Sequence, residues 1–342
     1  MLVARQDSMG DVLLAGPAVR AVAAGASHVT FLSGPKGSAA ARLLPGVDSV
    51  IEWDAPWIAD PSPGMTRSHA DRLQHLLTQE QPDQAVILTS FHQSSLPLAM
   101  LLRLFGISPI VAASVEYAGS LLDVRLRPGE DLAEEIPESF RALAIAEAAG
   151  FRLPPGDSGT LAVCEVEPVH PFNPVRPYIV LHPGADAQAR TWPASAHKET
   201  AALLAKRGHA VVVTGAAAEV KLTSMVAGGT ALDLGGLLDL PALASVIAGA
   251  EVVVAGNTGP AHLAAAVGTP VVSLFSPVVP AVKWAPYGVP VELLGDQHAA
   301  CRDSRARLCP VPGHPCLTVV KPHDVMAAVE RLLTASGKTA AT

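Results

Sequence analysis

Two series of short β-branched runs, each run followed by a stretch of helical period, fill most of the chain, and a breaker-rich segment parts them. The strand-like runs of the first series are Leu2 to Arg5, His28 to Leu32, Ser49 to Trp53, Gln84 to Leu88 and Pro109 to Ala113. Between them the period predicts helices over Val12 to Ala24, Ser38 to Leu44, His69 to Gln79 and Leu96 to Phe105. A further helix, Pro137 to Ala149, ends at Gly150, a usual residue just past a helix. Alternation of this kind constrains the fold strongly, because parallel strands need a crossover between them. It predicts an α/β fold with a mostly parallel sheet covered on both faces.

Pro154, Pro155, Gly156, Pro168, Pro171, Pro174 and Pro177 then interrupt the pattern, so Phe151 to Pro177 reads as an interdomain linker, with Thr160 to Val163 a candidate extra strand. The second series has strands at Tyr178 to Leu181, Ala210 to Val213, Leu232 to Leu234, Glu251 to Ala255 and Pro270 to Phe275. Its helices are Ser195 to Arg207, Ala217 to Val226, Leu240 to Ala248, Pro260 to Val267 and finally Pro322 to Leu333. No sequence repeat links the two halves. The domain expectation is residues 1–165, 166–320 and a closing helix and tail at 321–342.

The chain's 342 residues suffice for two cores. A net charge of −7 lacks the basic footprint of a nucleic-acid binder, so no nucleic-acid partner is expected. Leu2-Val3-Ala4-Arg5 opens directly as a strand with no signal-peptide pattern, and Ala242 to Val254 is broken by Ser245, Gly249 and Glu251 before it reaches membrane-spanning length. The expected location is cytoplasmic. Cys301, Cys309 and Cys316 gather near His314, a set that suits tetrahedral zinc, but no CxxC pair occurs and loop cysteines often only pack. Neither metal nor cofactor is assigned.

Chemistry is expected where strands hand over to helices, the edge at which open α/β sheets bind ligands. Asp11, after Ser8-Met9-Gly10, is either a helix-entry carboxylate offsetting the macrodipole or a general base. Arg190, beyond His182-Pro183-Gly184, is a solvated loop cation or a planar fork for a diphosphate. Glu219, following Gly215, is an ordinary first-turn acid or a ribose ligand. The most specific stretch is Gly256-Asn257-Thr258-Gly259-Pro260-Ala261-His262, a tight turn with proline at the first helical position. Thr258 either caps that helix or, with its exposed N–H groups, holds a phosphate. His262 is a packed helical histidine or a ligand contact.

In order along the chain, Asp7-Ser8-Met9-Gly10-Asp11-Val12-Leu13-Leu14 with Pro17-Ala18, His182-Pro183-Gly184-Ala185, Arg190-Thr191-Trp192-Pro193, Gly256 to Ala264, Gly268 to Phe275 and Trp284-Ala285-Pro286-Tyr287-Gly288 resemble glycosyltransferase family nine, the heptosyltransferase group of lipopolysaccharide assembly. The resemblance implies a GT-B fold: two Rossmann-like domains facing across a cleft, donor on the second, the last helix crossing back to the first. It places Asp11 on the catalytic base, with Ser8, Met9 and Gly10 on the acceptor side. Arg190, Thr258, Gly259 and Pro260 fall on the diphosphate site. Gly184, Gly215, Glu219, Asn257 and His262 fall on the nucleoside and sugar site.

The implied reaction is inverting transfer of a heptose or related sugar from an ADP-linked donor to a cell-envelope glycan or glycolipid, with peripheral contact at the inner membrane face. No Asp-x-Asp triplet occurs, which fits a metal-independent mechanism. Two positions depart from the family pattern. Asn257 stands where an aspartate is usual, and Pro277-Val278-Val279-Pro280 replaces Pro-Thr-Asp-Pro. Two other readings stay open beside the transferase: a non-catalytic nucleotide-sugar binder or scaffold, and a sugar-nucleotide epimerase. A nicotinamide dehydrogenase is disfavoured, since no Gly-x-Gly-x-x-Gly opens either half.

Overall fold

A computed structural model describes residues 1–167 and 177–335. The chain divides into two compact units, Met1–Cys164 and Glu165–Thr342. In the first, strands β1 (Leu2–Ala4), β2 (Thr30–Ser33), β3 (Ser49–Glu52), β4 (Ala85–Ile87), β5 (Ile110–Ala113) and β6 (Val124–Leu126) form one sheet in the order β3-β2-β1-β4-β5-β6. Every pairing in it is parallel, with Leu2 of β1 opposite both Thr30 and Ala85. Helices α1 (Met9–Leu14), α2 (Gly16–Ala23), α3 (Ser38–Ala41), α4 (Arg67–Glu80), α5 (Leu96–Leu104) and α6 (Glu138–Ala148) cover it.

The second unit repeats this order. Strands β7 (Tyr178–His182), β8 (Ala210–Val213), β9 (Leu232–Asp233), β10 (Val252–Gly256), β11 (Val271–Leu274) and β12 (Val291–Leu294) run β12-β11-β10-β7-β8-β9, again all parallel. Its helices are α7 (Ala194–Lys206), α8 (Val220–Ala227), α9 (Leu240–Ala248), α10 (Gly259–Ala266), α11 (Ala281–Trp284), α12 (Pro315–Thr318) and α13 (Pro322–Ala335). All five residues of β10 are buried, as are residues 260–266 of α10, so this strand–turn–helix unit lies in the core with only its turn available to a ligand. In each sheet the chain starts in the middle, builds outward to one side, then crosses to the other. The switch falls between β1 and β4 in one unit and between β7 and β10 in the other, where doubly wound sheets bind ligands at the carboxyl ends of the strands.

Three expectations are corrected in detail. The first helix begins at Met9 rather than Val12 and breaks at Ala15, so Met9, Gly10 and Asp11 are a helical first turn rather than a loop. Thr160 to Val163 forms no strand. Arg20 of α2 makes two hydrogen bonds to the Asp157 carboxylate, at 2.6 and 2.9 Å, and a third to the Thr160 carbonyl at 2.8 Å. Phe151 and Leu161 are buried, so the first part of the expected linker is a strap packed on the first unit. Residues 168–176 of that linker lie outside the described residues.

The helix expected to cross back to the first domain, α13, packs over its described length against α7, β10, β11 and β12 of its own unit. Val325, Ala328, Val329, Leu332 and Leu333 form one apolar stripe at helical spacing, and all five join the second unit's core. The remainder of the tail, residues 336–342, lies outside the described residues.

Candidate active site

Immediately after β1 comes a knot of buried charge. Arg5, 2% exposed, divides its guanidinium among three carboxylates: Nε lies 2.7 Å from Asp7, Nη2 3.1 Å from Asp11 and Nη1 3.5 Å from Glu138. Each acid comes from a different segment, namely the β1–α1 turn, the first turn of α1 and the start of α6. Arg141, one turn along α6, stands 4.0 Å from Glu138 on its other side. From the loop after β4, Ser90 accepts from Arg5 at 2.8 Å and donates to Asp7 at 3.3 Å, while the Gln93 amide donates to Asp7. Residues from both sides of the switch point are thereby tied together.

Electrostatics follow from that burial. Desolvation drives Asp7 above the usual carboxylate range despite the pull of Arg5, and neighbouring Asp11 pushes the same way. Burial alone would lower Arg5, but the combined field of Asp7, Asp11 and Glu138 holds it above its ordinary value. Arg141 is lowered, chiefly by burial. Asp11 is the rim of the knot, its side chain 18% exposed against 7% for Asp7 and 1% for Glu138. Ser8 donates to Asp11 Oδ2 at 2.7 Å and Arg5 donates to Oδ1 at 3.1 Å, so both oxygens are oriented. Ser8 occupies the N-cap position of α1, yet its hydroxyl serves Asp11 instead of the helix backbone. Gly10 is buried in the same turn, and Met9 is half-buried beside it.

At the carboxyl ends of β7, β8 and β10 the second unit gathers the other group. Glu219 closes a short 3-10 turn and accepts the Ala216 N–H at 2.8 Å. Gly184, after β7, lies against it so closely that a Cβ there would stand 1.9 Å from Glu219 Oε1. At Gly215 the same atom would stand 3.2 Å from Glu219 Oε2 and 2.6 Å from Thr223 Cγ2. Both glycines therefore make room for one carboxylate.

Arg190 ends a second 3-10 turn and donates to the Asn257 carbonyl at 3.4 Å, while its own carbonyl lies beneath Gly256, 2.9 Å from where a Cβ would be. Thr258 is the N-cap of α10, but its side chain makes no capping hydrogen bond, so the capping alternative is not realised. Gly259 and Pro260 open the helix behind it. His262 is 5% exposed on that core helix.

Asn257, expected at the sugar, is 4% exposed; its amide nitrogen donates to the Ser276 carbonyl at 3.3 Å. Its Oδ1 accepts no hydrogen bond among the described residues. Val278 and Val279 are both buried, and Val278 belongs to the core. Of the two departures from the family pattern, one is thus an amide tied to the Ser276 carbonyl and the other a buried valine.

The cysteine-rich segment has a supporting task that the sequence did not suggest. His314 contacts the Ala189 carbonyl at 3.1 Å, Cys309 N–H donates to Gln188 at 3.0 Å and Arg307 donates to the Asp186 carbonyl at 3.2 Å, bracing the Arg190 turn from behind. Cys301 and Cys316 are buried in the second core. Among the described residues no group of three or more His, Cys, Asp or Glu side chains is arranged to hold a metal ion. Also unanticipated were Arg5, Asp7, Glu138 and Arg141. The available signal was a charged residue directly after a buried strand (Arg5), answered by an acid at a helix start (Glu138).

Two units of this topology, one presenting an oriented carboxylate and the other a bare helix N-terminus with an arginine, define a GT-B-type glycosyltransferase architecture. The chain belongs to glycosyltransferase family 9 (heptosyltransferase), whose model matches residues 71–314. The match begins after Asp11. Lipopolysaccharide heptosyltransferase 1 of Pseudomonas aeruginosa is 33% identical over 205 residues, 57% of this chain and 56% of that protein. Lipopolysaccharide heptosyltransferase 3 of Escherichia coli is 30% identical over 168 residues, 46% of this chain and 48% of its own. The aligned part thus spans about half the length of these curated relatives. The solved ADP-heptose lipopolysaccharide heptosyltransferase II of E. coli shares the fold, with a TM-score of 0.73 at 19% identity over 98% of this chain and 99% of that one. Among the described residues no helix is long and apolar enough to cross a membrane.

Proposed function

We propose that this protein transfers a sugar, heptose or a related one, from a nucleoside-diphosphate donor to a hydroxyl of a cell-envelope glycan or glycolipid, with inversion and without a metal. The observation that carries the reading is Asp11, set at the carboxyl end of β1 with a hydrogen-bond donor on each oxygen. A carboxylate so oriented is suited to general-base work. In the proposed reaction Asp11 takes the acceptor's hydroxyl proton while that oxygen attacks the anomeric carbon. The bond from that carbon to the diphosphate breaks on the opposite face. Negative charge then grows on the diphosphate, which Arg190, the Thr258 hydroxyl and the N–H groups at the start of α10 would stabilise.

Glu219, with space cleared by Gly184 and Gly215, would bind the ribose hydroxyls. An ADP-linked donor fits the relative whose name includes ADP-heptose. The absence of any Asp-x-Asp triplet supports metal independence. The first unit is proposed as the acceptor domain and the second as the donor domain, in a cytoplasmic enzyme meeting its acceptor at the inner membrane face.

Calorimetric titration with ADP, GDP and UDP, with and without Mg²⁺, identifies the base and the metal requirement. Repeating it on Asp11→Asn tests the mechanism. Donor binding should persist while transfer is lost, and equal loss of both would overturn the base assignment.

A further inference from the structure

Glu138 is a buried acid that the proposed reaction does not use. It opens α6 with 1% of its side chain exposed, far from Asp11 in sequence, and Arg5 bridges the two. An acid in that setting carries a desolvation cost that a leucine or methionine would avoid. Helix entry alone does not explain it, since the side chain turns inward to Arg5 instead of outward to solvent. The geometry around Arg5 supplies a reason. With its three nitrogens directed at three different carboxylates, Arg5 acts on Asp11 with a field that Asp7 and Glu138 partly cancel.

We propose that Glu138 is a positioning residue for Asp11: by sharing Arg5 it fixes the guanidinium that orients Asp11 and keeps Asp11 basic enough to accept a proton. The inference rests on Asp11 being the base. Its logic is differential. Removing the Glu138 charge leaves Arg5 less compensated, which favours ionised Asp11 and weakens it as a base. Removing Arg141, which draws on Glu138 from the far side, has the opposite sign.

Of the other charges around the knot, Asp7 shares Arg5 as Glu138 does but also acts on Asp11 directly, and Glu134 acts on Arg141. On α2, Arg20 is engaged by Asp157, and on β6, Arg125 is held by the carbonyls of Ser114 and Val115. Helix α3 and strands β4 and β5 bring no ionisable side chain, and the loop after β4 meets the knot through neutral Ser90 and Gln93.

The test needs neither donor nor acceptor. Asp11 is followed by carboxyl-carbon NMR in the full chain labelled at aspartate, its signal assigned by loss in Asp11→Asn. Through one intervening guanidinium, a unit charge at an effective dielectric near 20 shifts a carboxyl midpoint by about one to two pH units. Glu138→Gln should lower the Asp11 midpoint by about that much, Arg141→Met should raise it, and Glu138→Asp should restore the wild-type value. Midpoints unchanged in both variants, measured on protein with a wild-type amide spectrum, would overturn the proposal. If Glu138→Gln does not fold, the sign of the shift in Arg141→Met decides alone. Because the readout is a titration and not a rate, it stands apart from the question of whether Asp11→Asn abolishes transfer.

Discussion

Gly184→Ala should cost this protein the nucleotide proposed for it without costing it its fold. Gly184 does not adopt a left-handed conformation, so alanine meets no backbone strain there. The obstacle is Glu219, whose Oε1 would lie 1.9 Å from the new Cβ, against 3.4 Å at the near limit of ordinary contact. The carboxylate must retreat by the difference, about 1.5 Å. That movement breaks its 2.8 Å hydrogen bond from Ala216 and takes it away from any ribose it serves. A hydrogen bond to a charged group contributes about 1.5–3 kcal/mol, so ADP affinity should fall roughly 10- to 150-fold.

Calorimetry with ADP reads the loss, and a double-mutant cycle with Glu219→Ala reads its cause. If the methyl acts only by displacing Glu219, the double variant binds no worse than Glu219→Ala alone. Wild-type affinity in Gly184→Ala, or two losses that simply add, would refute the argument. Thermal unfolding supplies the control: a lost surface hydrogen bond of about 1 kcal/mol in a unit of this size lowers Tm by only about 2–4 °C.

Arg190→Ala should weaken ADP binding by about 1.5–3 kcal/mol while leaving adenosine binding nearly unchanged, and an equal effect on both ligands would remove its phosphate role. Burial pushes His182 down to about 4 and His197 down to about 3, His182 adding to the latter, from an ordinary value of 6.5. The unfolded chain therefore takes up protons first, so this stability is fully present above pH 6.5 and is lost as pH falls towards 4, at ~1.4 kcal/mol per unit for each histidine. A Tm that stays flat from pH 6.5 to 4.5 would contradict it, and His197→Gln should flatten the decline. Asp157→Ala should release the strap held by Arg20, at a cost of about 1.5–3 kcal/mol, and expose the 153–164 segment to limited proteolysis. Unaltered cleavage would show that Phe151 and Leu161 hold it unaided.

Central strands were easy to read and two of the four edge strands were not, for a physical reason. β1, β4, β7 and β10 are covered on both faces, so they appear as unbroken apolar runs. β6, with exposed Val124 and half-buried Arg125, and the half-buried β12 lie at sheet edges and carry no such mark. Helices α11 and α12, four residues each, are too short to show a period. The family resemblance put Gly184, Gly215 and Glu219 on one site, and their close approach in the structure demands that residue type. The pairing of Arg5 with Glu138 had only a faint signal, a charge directly after a buried strand and an acid at a helix start. A buried ion group is assembled by tertiary packing, and each member alone looks like a surface charge. The linker shows the same limit: its prolines foretold irregular backbone, but its docking depends on a partner, Arg20, in another helix.

The strap and the division at Cys164 also bear on how the protein is made. A ribosome delivers the chain in order, and by Cys164 the first sheet has received all six strands and the segment that fastens to α2. Its core can therefore close while β7 is still to come, with no edge waiting on distant sequence. The second sheet then closes at its centre as the first did, late, because β7 must wait for β10, with two strands and three helices intervening. During synthesis from the N-terminus onward, β7 keeps an unpaired edge through that interval. Destabilising changes around β10 should therefore be felt first as lost yield of protein, ahead of any change in what the finished molecule does.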